Sequence, residues 1–152
     1  MTLTPEWTDR IELWRKALRE LTYTPLAPVA LRGLVTRDYL TAEQAAALPM
    51  QAFSPGTAWG EAWEYAWFAG QVTLPPAAHG ERIVLRLETG GEGLLWVDGL
   101  PAGTRDWAHT ELTLARQAQA GQTFDILAEM YAGHMPSWFG AGPLLEGRSF
   151  MP

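Results

Sequence analysis

Apolar residues near the N-terminus recur on a helical period. Trp7, Ile11, Trp14, Leu18 and Leu21 follow one another at spacings of four and three. On a period of 3.6 that makes one stripe along a helix. Thr4 stands where an N-cap belongs, Pro5 suits the first helical position, and Glu6 and Asp9 lie near the positive end of the dipole. Arg10, Arg15, Lys16, Arg19 and Glu20 read as the opposite, polar face. The pattern predicts an amphipathic helix over 1–22. Its stripe is too broad and aromatic to face water, so it needs a surface in this domain or a neighbour.

Residues 23–60 lose that period. Pro25, Pro28 and Gly33 predict an irregular connection, interrupted by one short helix. That helix starts at Thr41, which pairs with Gln44 as a capping box, and Pro49 closes it. Residues 51–60 read as a loop turning at Pro55-Gly56. From residue 61 the period becomes two. Trp63, Tyr65, Trp67 and residues 71–74 predict a strand, followed by strands at 83–89, 94–97, 110–114 and 124–131. Asp98-Gly99 is the strongest hairpin signal, because both residues tolerate positive φ. The expectation is a mainly β chain: a jelly-roll or galactose-binding-like β-sandwich over 61–152 with the two helices added, together one domain.

Composition narrows the setting. A chain of 152 residues suits one domain. The absence of cysteine excludes disulfides and fits a reducing, cytoplasmic location. No apolar run approaches the roughly 20 residues that span a bilayer, and the first residues do not read as a secretory signal. A net charge of -6 with no basic cluster argues against nucleic acid as a partner.

Catalytic constellations fail one after another. His79, His109 and His134 stand apart, with no metal-binding spacing. Ser54, Ser137 and Ser149 lie in no nucleophile motif. Gly90-Gly91-Glu92-Gly93 lacks the Lys-Ser/Thr of a phosphate loop and precedes a strand. Asp98 belongs to a turn, and Asp125 and Glu129 to the solvent side of a strand, so no carboxylate pair is singled out. The eight tryptophans remain. Sugars stack their C–H faces on such rings. Trp59, Trp63, Trp107 and Trp138 fall in expected loops or strand ends, with His109 and His134 nearby, and form a candidate carbohydrate site. Core packing is the competing expectation for each. Trp7, Ile11, Trp14 and Leu18 form a candidate assembly surface.

Longer runs carry a resemblance. Pro55-Gly56-Thr57-Ala58-Trp59-Gly60 and Ala66-Trp67-Phe68, then the stretch from Gly80 to Gly99 containing Gly90-Gly91-Glu92-Gly93-Leu94-Leu95-Trp96-Val97-Asp98-Gly99, resemble the N-terminal region of family 38 α-mannosidases. His109 and Glu129-Met130-Tyr131-Ala132-Gly133-His134 continue it, from the N-terminal helix to about Gly142 and most faintly over 32–49. The Val-Asp-Gly ending also occurs in the jelly rolls of family 2 glycosidases. The resemblance implies a galactose-binding-like jelly roll ahead of a catalytic domain. That further domain would hold the divalent metal, usually zinc in the family, and the carboxylate nucleophile. No catalytic residue and no cofactor is carried over to this chain. The implied partners are the parent's catalytic domain, a second copy of the chain, and mannose-containing glycans. The implied role is that of a non-catalytic N-terminal domain contributing to assembly or to the substrate entrance; the alternative is an autonomous carbohydrate-binding module.

Overall fold

The computed structural model describes residues 4–133 and 149–150. Helix α1 runs Pro5–Leu21 and α2 runs Ala42–Ala47. The strands are β1 Leu31–Thr36, β2 Gln51–Phe53, β3 Ala58–Trp59, β4 Tyr65–Thr73, β5 Ile83–Arg86, β6 Glu92–Val97, β7 Leu100–Arg105, β8 Glu111–Ala115, β9 Thr123–Tyr131 and β10 Ser149–Phe150. Six of them form one antiparallel sheet in the order β2-β1-β4-β9-β6-β7. β5 and β8 pair as a second layer, and β3 pairs with β10. The chain is a mainly β jelly roll with an N-terminal helix, as its patterning predicts.

The period-two stretches set the central ladder. β4 and β9 pair along their full length, from Tyr65 opposite Tyr131 to Thr73 opposite Thr123. Phe124, Ile126, Ala128 and Met130 alternate inward on β9, facing Ala66, Phe68 and Val72 of β4. Ile83 and Leu85 of the second layer close this core. Phe68 is fully buried and meets the rings of Phe53 and Trp59 edge-on at 5.1 and 5.6 Å. Gly93 is required where β6 crosses β9: a Cβ there would lie 1.7 Å from the Glu129 carbonyl oxygen. The β6–β7 hairpin turns at Asp98 and Gly99, with φ of 52 and 76°. The Asp98 carboxylate also accepts from the Asp125 N–H at 2.9 Å.

Several expected boundaries move. Residues 31–36 are a sheet strand, not irregular connection, and 51–53 and 58–59 also pair. Their alternation is broken by Gly33 and short lengths, so pairing partners distant in sequence define them. Trp63 precedes β4, and the strand expected over 83–89 stops at Arg86. The Thr41 capping box forms as expected: Gln44 N–H donates to Thr41 Oγ1 at 3.2 Å, and Thr41 N–H to Gln44 Oε1 at 2.8 Å. α2 lies against β9. Its Ala45 and the sheet's Trp67 are both fully buried outside the main core. α2 therefore covers part of the six-stranded sheet's outer face. No helix among the described residues is long and apolar enough to cross a membrane.

Candidate functional site

The strand register gathers the exposed candidates at one end of the sandwich. β4 starts, β9 ends and β6 starts there, with Tyr131 opposite both Tyr65 and Glu92. β7 ends there too, Arg105 facing Gly93. Trp63, just before β4, and Trp107 and His109, just after β7, therefore share this end. The strands carrying Trp63 and Trp107 are three intervals apart in the sheet, about 14 Å. The two indoles do not form one stacking platform by position alone.

Each candidate is held differently. Trp63 is 62% exposed and has a left-handed φ of 69°, rare for a bulky residue. Its N–H donates to the Gly133 carbonyl at 3.0 Å, and Ala132 N–H donates to the Glu64 carbonyl at 2.9 Å, which fixes this turn. Trp107 is 87% exposed at the tip of its loop. The Asp106 carboxylate beneath accepts from the backbone N–H groups of Ala108 and His109, both at 2.7 Å, and from His109 Nδ1. Those hydrogen bonds, led by the His109 side chain, hold the Asp106 carboxyl below its usual range. Asp106 and His109 supply two donors. Among the described residues no group of three could hold a metal ion. Arg105 is half-buried and donates to the carbonyls of Leu87 and Gly91 at 2.9 and 2.8 Å. Its burial lowers the guanidinium pKa.

Trp59 departs from the expected sugar site. It is 6% exposed, donates from Nε1 to the Thr89 carbonyl at 2.8 Å, and packs on Phe68. A ring wedged between the layers offers no face to a ligand. His134 and Trp138 lie outside the described residues.

A second surface is not singled out by the sequence pattern. On the outward phase of β4, β9 and β6 stand Tyr65, Trp67, Tyr131, Glu129, Leu94 and Trp96. Tyr65 packs on Tyr131 at 4.9 Å, and Trp67 on Trp96 at 5.6 Å. Glu129 sits between Trp67 on one side and Leu94 on the other. The sequence places Glu129 on the solvent side of its strand. It does point outward, but it is partly buried, and burial raises its carboxyl pKa. Trp67 Nε1 is buried without an acceptor among the described residues. The signal available in the sequence is a second set of aromatic residues, Tyr65, Trp67, Trp96 and Tyr131, at alternate strand positions.

Helix α1 keeps its apolar stripe exposed at Trp7, Ile11, Trp14 and Leu18. Arg10 does not lie on the opposite face, as its charge alone suggests. Its guanidinium sits 5.1 Å from the Trp7 ring and 6.0 Å from the Trp14 ring. Residues three and four apart share a helix face, so the cation belongs to the stripe. Beyond α1, Tyr23 donates its hydroxyl hydrogen bond to Glu111, which raises the phenol pKa. Residues 22–29 and 81–88 then line a cleft of about 870 Å³ floored by Val72, Leu74 and Leu85.

Comparison with known proteins places these features. Residues 23–150 match the family model described as "Alpha-mannosidase, jelly roll domain". Human Alpha-mannosidase 2C1 is 33% identical over 85 residues, which is 55% of this chain and 8% of that protein. Mouse Alpha-mannosidase 2C1 is 31% identical over 97 residues, 60% of this chain and 9% of that protein. The matched segment thus spans less than a tenth of either relative. The family model begins at residue 23, so α1 falls outside it, although the resemblance is expected to include the helix. The chain belongs to the family of α-mannosidase jelly roll domains.

Proposed function

We propose that this domain is a non-catalytic accessory module of an α-mannosidase, and that α1 is its assembly element. The observation that carries the reading is the exposed stripe of α1, with Trp7, Trp14 and Leu18 open to solvent. Apolar surface of that kind is stable when a partner covers it. The jelly roll has its own closed core without the helix. On this reading the hydrolytic chemistry and its divalent metal belong to the catalytic domain of the parent enzyme, which is the module's partner. The cysteine-free composition supports a cytoplasmic setting.

The test is the mass in solution of the full chain and of a chain lacking residues 1–22. Association that disappears with the helix supports the reading. Equal, well-folded monomers in both preparations contradict it.

Trp107 supports a second reading, binding of mannose-containing glycans. Its ring stands exposed above the fixed Asp106–His109 pair. Titration with methyl α-mannoside, followed by tryptophan fluorescence, should saturate and weaken in Trp107→Ala. No change at millimolar sugar contradicts that reading.

A further inference from the structure

Two apolar surfaces in this chain carry opposite charges, each unpaired among the described residues. The first is the outer face of the six-stranded sheet beside α2. There Glu129 is flanked across the strands by Trp67 and Leu94, along its strand by Leu127 and Tyr131, and diagonally by Trp96. Leu94 is exposed, and Trp96, Leu127 and Tyr131 are partly exposed. Glu129 has no hydrogen bond or ion pair among the described residues. A carboxylate in such surroundings lacks the cation that would offset its lost hydration.

The second surface is the α1 stripe. It is aromatic and aliphatic, with one guanidinium, Arg10, lying over Trp7 and Trp14. No carboxylate pairs with Arg10 among the described residues. A helix laid on a sheet face is a standard layer packing. α1 has 17 residues, about 25 Å of helix, and β9 has nine, about 30 Å of strand. The lengths match.

We infer that α1 of one copy packs on the outer sheet face of a second copy, beside α2, with Arg10 meeting Glu129. This rests on the reading of α1 as the assembly element and names the surface that receives it. The occupant is a second copy because α1 is tethered on the wrong side of its own domain. Tyr23, two residues beyond the helix, is bonded to Glu111. Glu111 opposes Arg86 on the outward side of the β5–β8 layer. From there the arm runs along β5 as a wall of the cleft. The two layers are about 10 Å apart, and Glu129 faces away from the other one. A reciprocal exchange of helices gives a closed two-fold dimer and leaves no free stripe.

The chain has no cysteine, so introduced pairs report without background. Leu18→Cys with Leu94→Cys should give an intermolecular disulfide under mild oxidation, with neither single variant doing so as efficiently. Sedimentation should show a dimer. Glu129→Arg and Arg10→Glu should each weaken it by about tenfold or more, and the double variant should recover most of the affinity. Circular dichroism of each variant separates lost association from lost folding, and the double variant and the cysteine pair stand even if Glu129→Arg folds poorly. Association abolished by Trp7→Ser/Trp14→Ser yet indifferent to both charge reversals, with no disulfide, overturns this docking and leaves the assembly role of α1. A monomer at every concentration overturns both.

Discussion

The two faces of the six-stranded sheet are made from the same strands, yet they are used differently. The inner face places Phe68, Ile126, Ala128 and Met130 in a core closed by β5 and β8. These four side chains are apolar and buried. The outer face also carries aromatic residues, and among the described residues α2 is the element that lies against it. That face leaves one carboxylate partly buried and, among the described residues, one indole N–H without an acceptor. Folding accounts for the burial of these side chains. The outer face is only partly explained by folding, and a residue set that packs poorly for stability alone points to a contact still to be made.

Substitutions should rank accordingly. Gly93→Ala is expected to do the most damage, because its Cβ would overlap the Glu129 carbonyl. Denaturant unfolding should show loss of several kcal/mol or failure to fold, as for other backbone clashes. Phe68→Ala should cost about 3–5 kcal/mol, the range for a fully enclosed ring. Trp67 is equally buried but on the outer face. Trp67→Phe removes an unpaired donor as well as volume, so the two effects oppose, and the loss should stay below about 2 kcal/mol. An equal penalty at Phe68 and Trp67, each truncated to Ala, would erase the distinction between the faces.

Smaller effects probe the roof and the carboxylate. Thr41→Ala breaks the side-chain half of the α2 capping box and should cost about 1 kcal/mol. Tryptophan emission should shift to the red as Trp67 gains solvent. Glu129 gives the smallest and most specific signal, read in dilute monomer. Burial raises its folded pKa above the ordinary value of 4.5. The folded state then holds the proton more tightly than the unfolded chain, so ionised Glu129 opposes folding at neutral pH. That penalty falls away as pH drops through the raised value. Glu129→Gln should therefore be slightly more stable than the parent at pH 7, with the gap closing toward pH 4.5. A gap that widens on acidification would reverse the assigned sign.

The β ladder is legible in the sequence because its signals are local. Phe124 to Tyr131 alternates cleanly, Asp98-Gly99 suits a tight turn, and Thr41 and Gln44 sit at capping spacing. β1 is hidden because Gly33 interrupts its pattern and its partners lie in β2 and β4, far along the chain. The site is less legible. Exposure at Trp107 and burial at Trp59 follow from tertiary position, although both stand in short irregular stretches of sequence. Strand phase alone assigns Glu129 to solvent and says nothing of the rings beside it. Charge alone assigns Arg10 to the polar face of α1. Its position, three residues after Trp7 and four before Trp14, places it with the stripe instead.

Amide hydrogen exchange along α1, measured over a range of protein concentrations, tests assembly through this helix most directly. A solvent-exposed helix with no tertiary packing opens readily, so its amides exchange fast in dilute monomer. Protection of residues 5–21 should rise with concentration. Exchange along α1 that is equally fast at every concentration would contradict assembly through the helix.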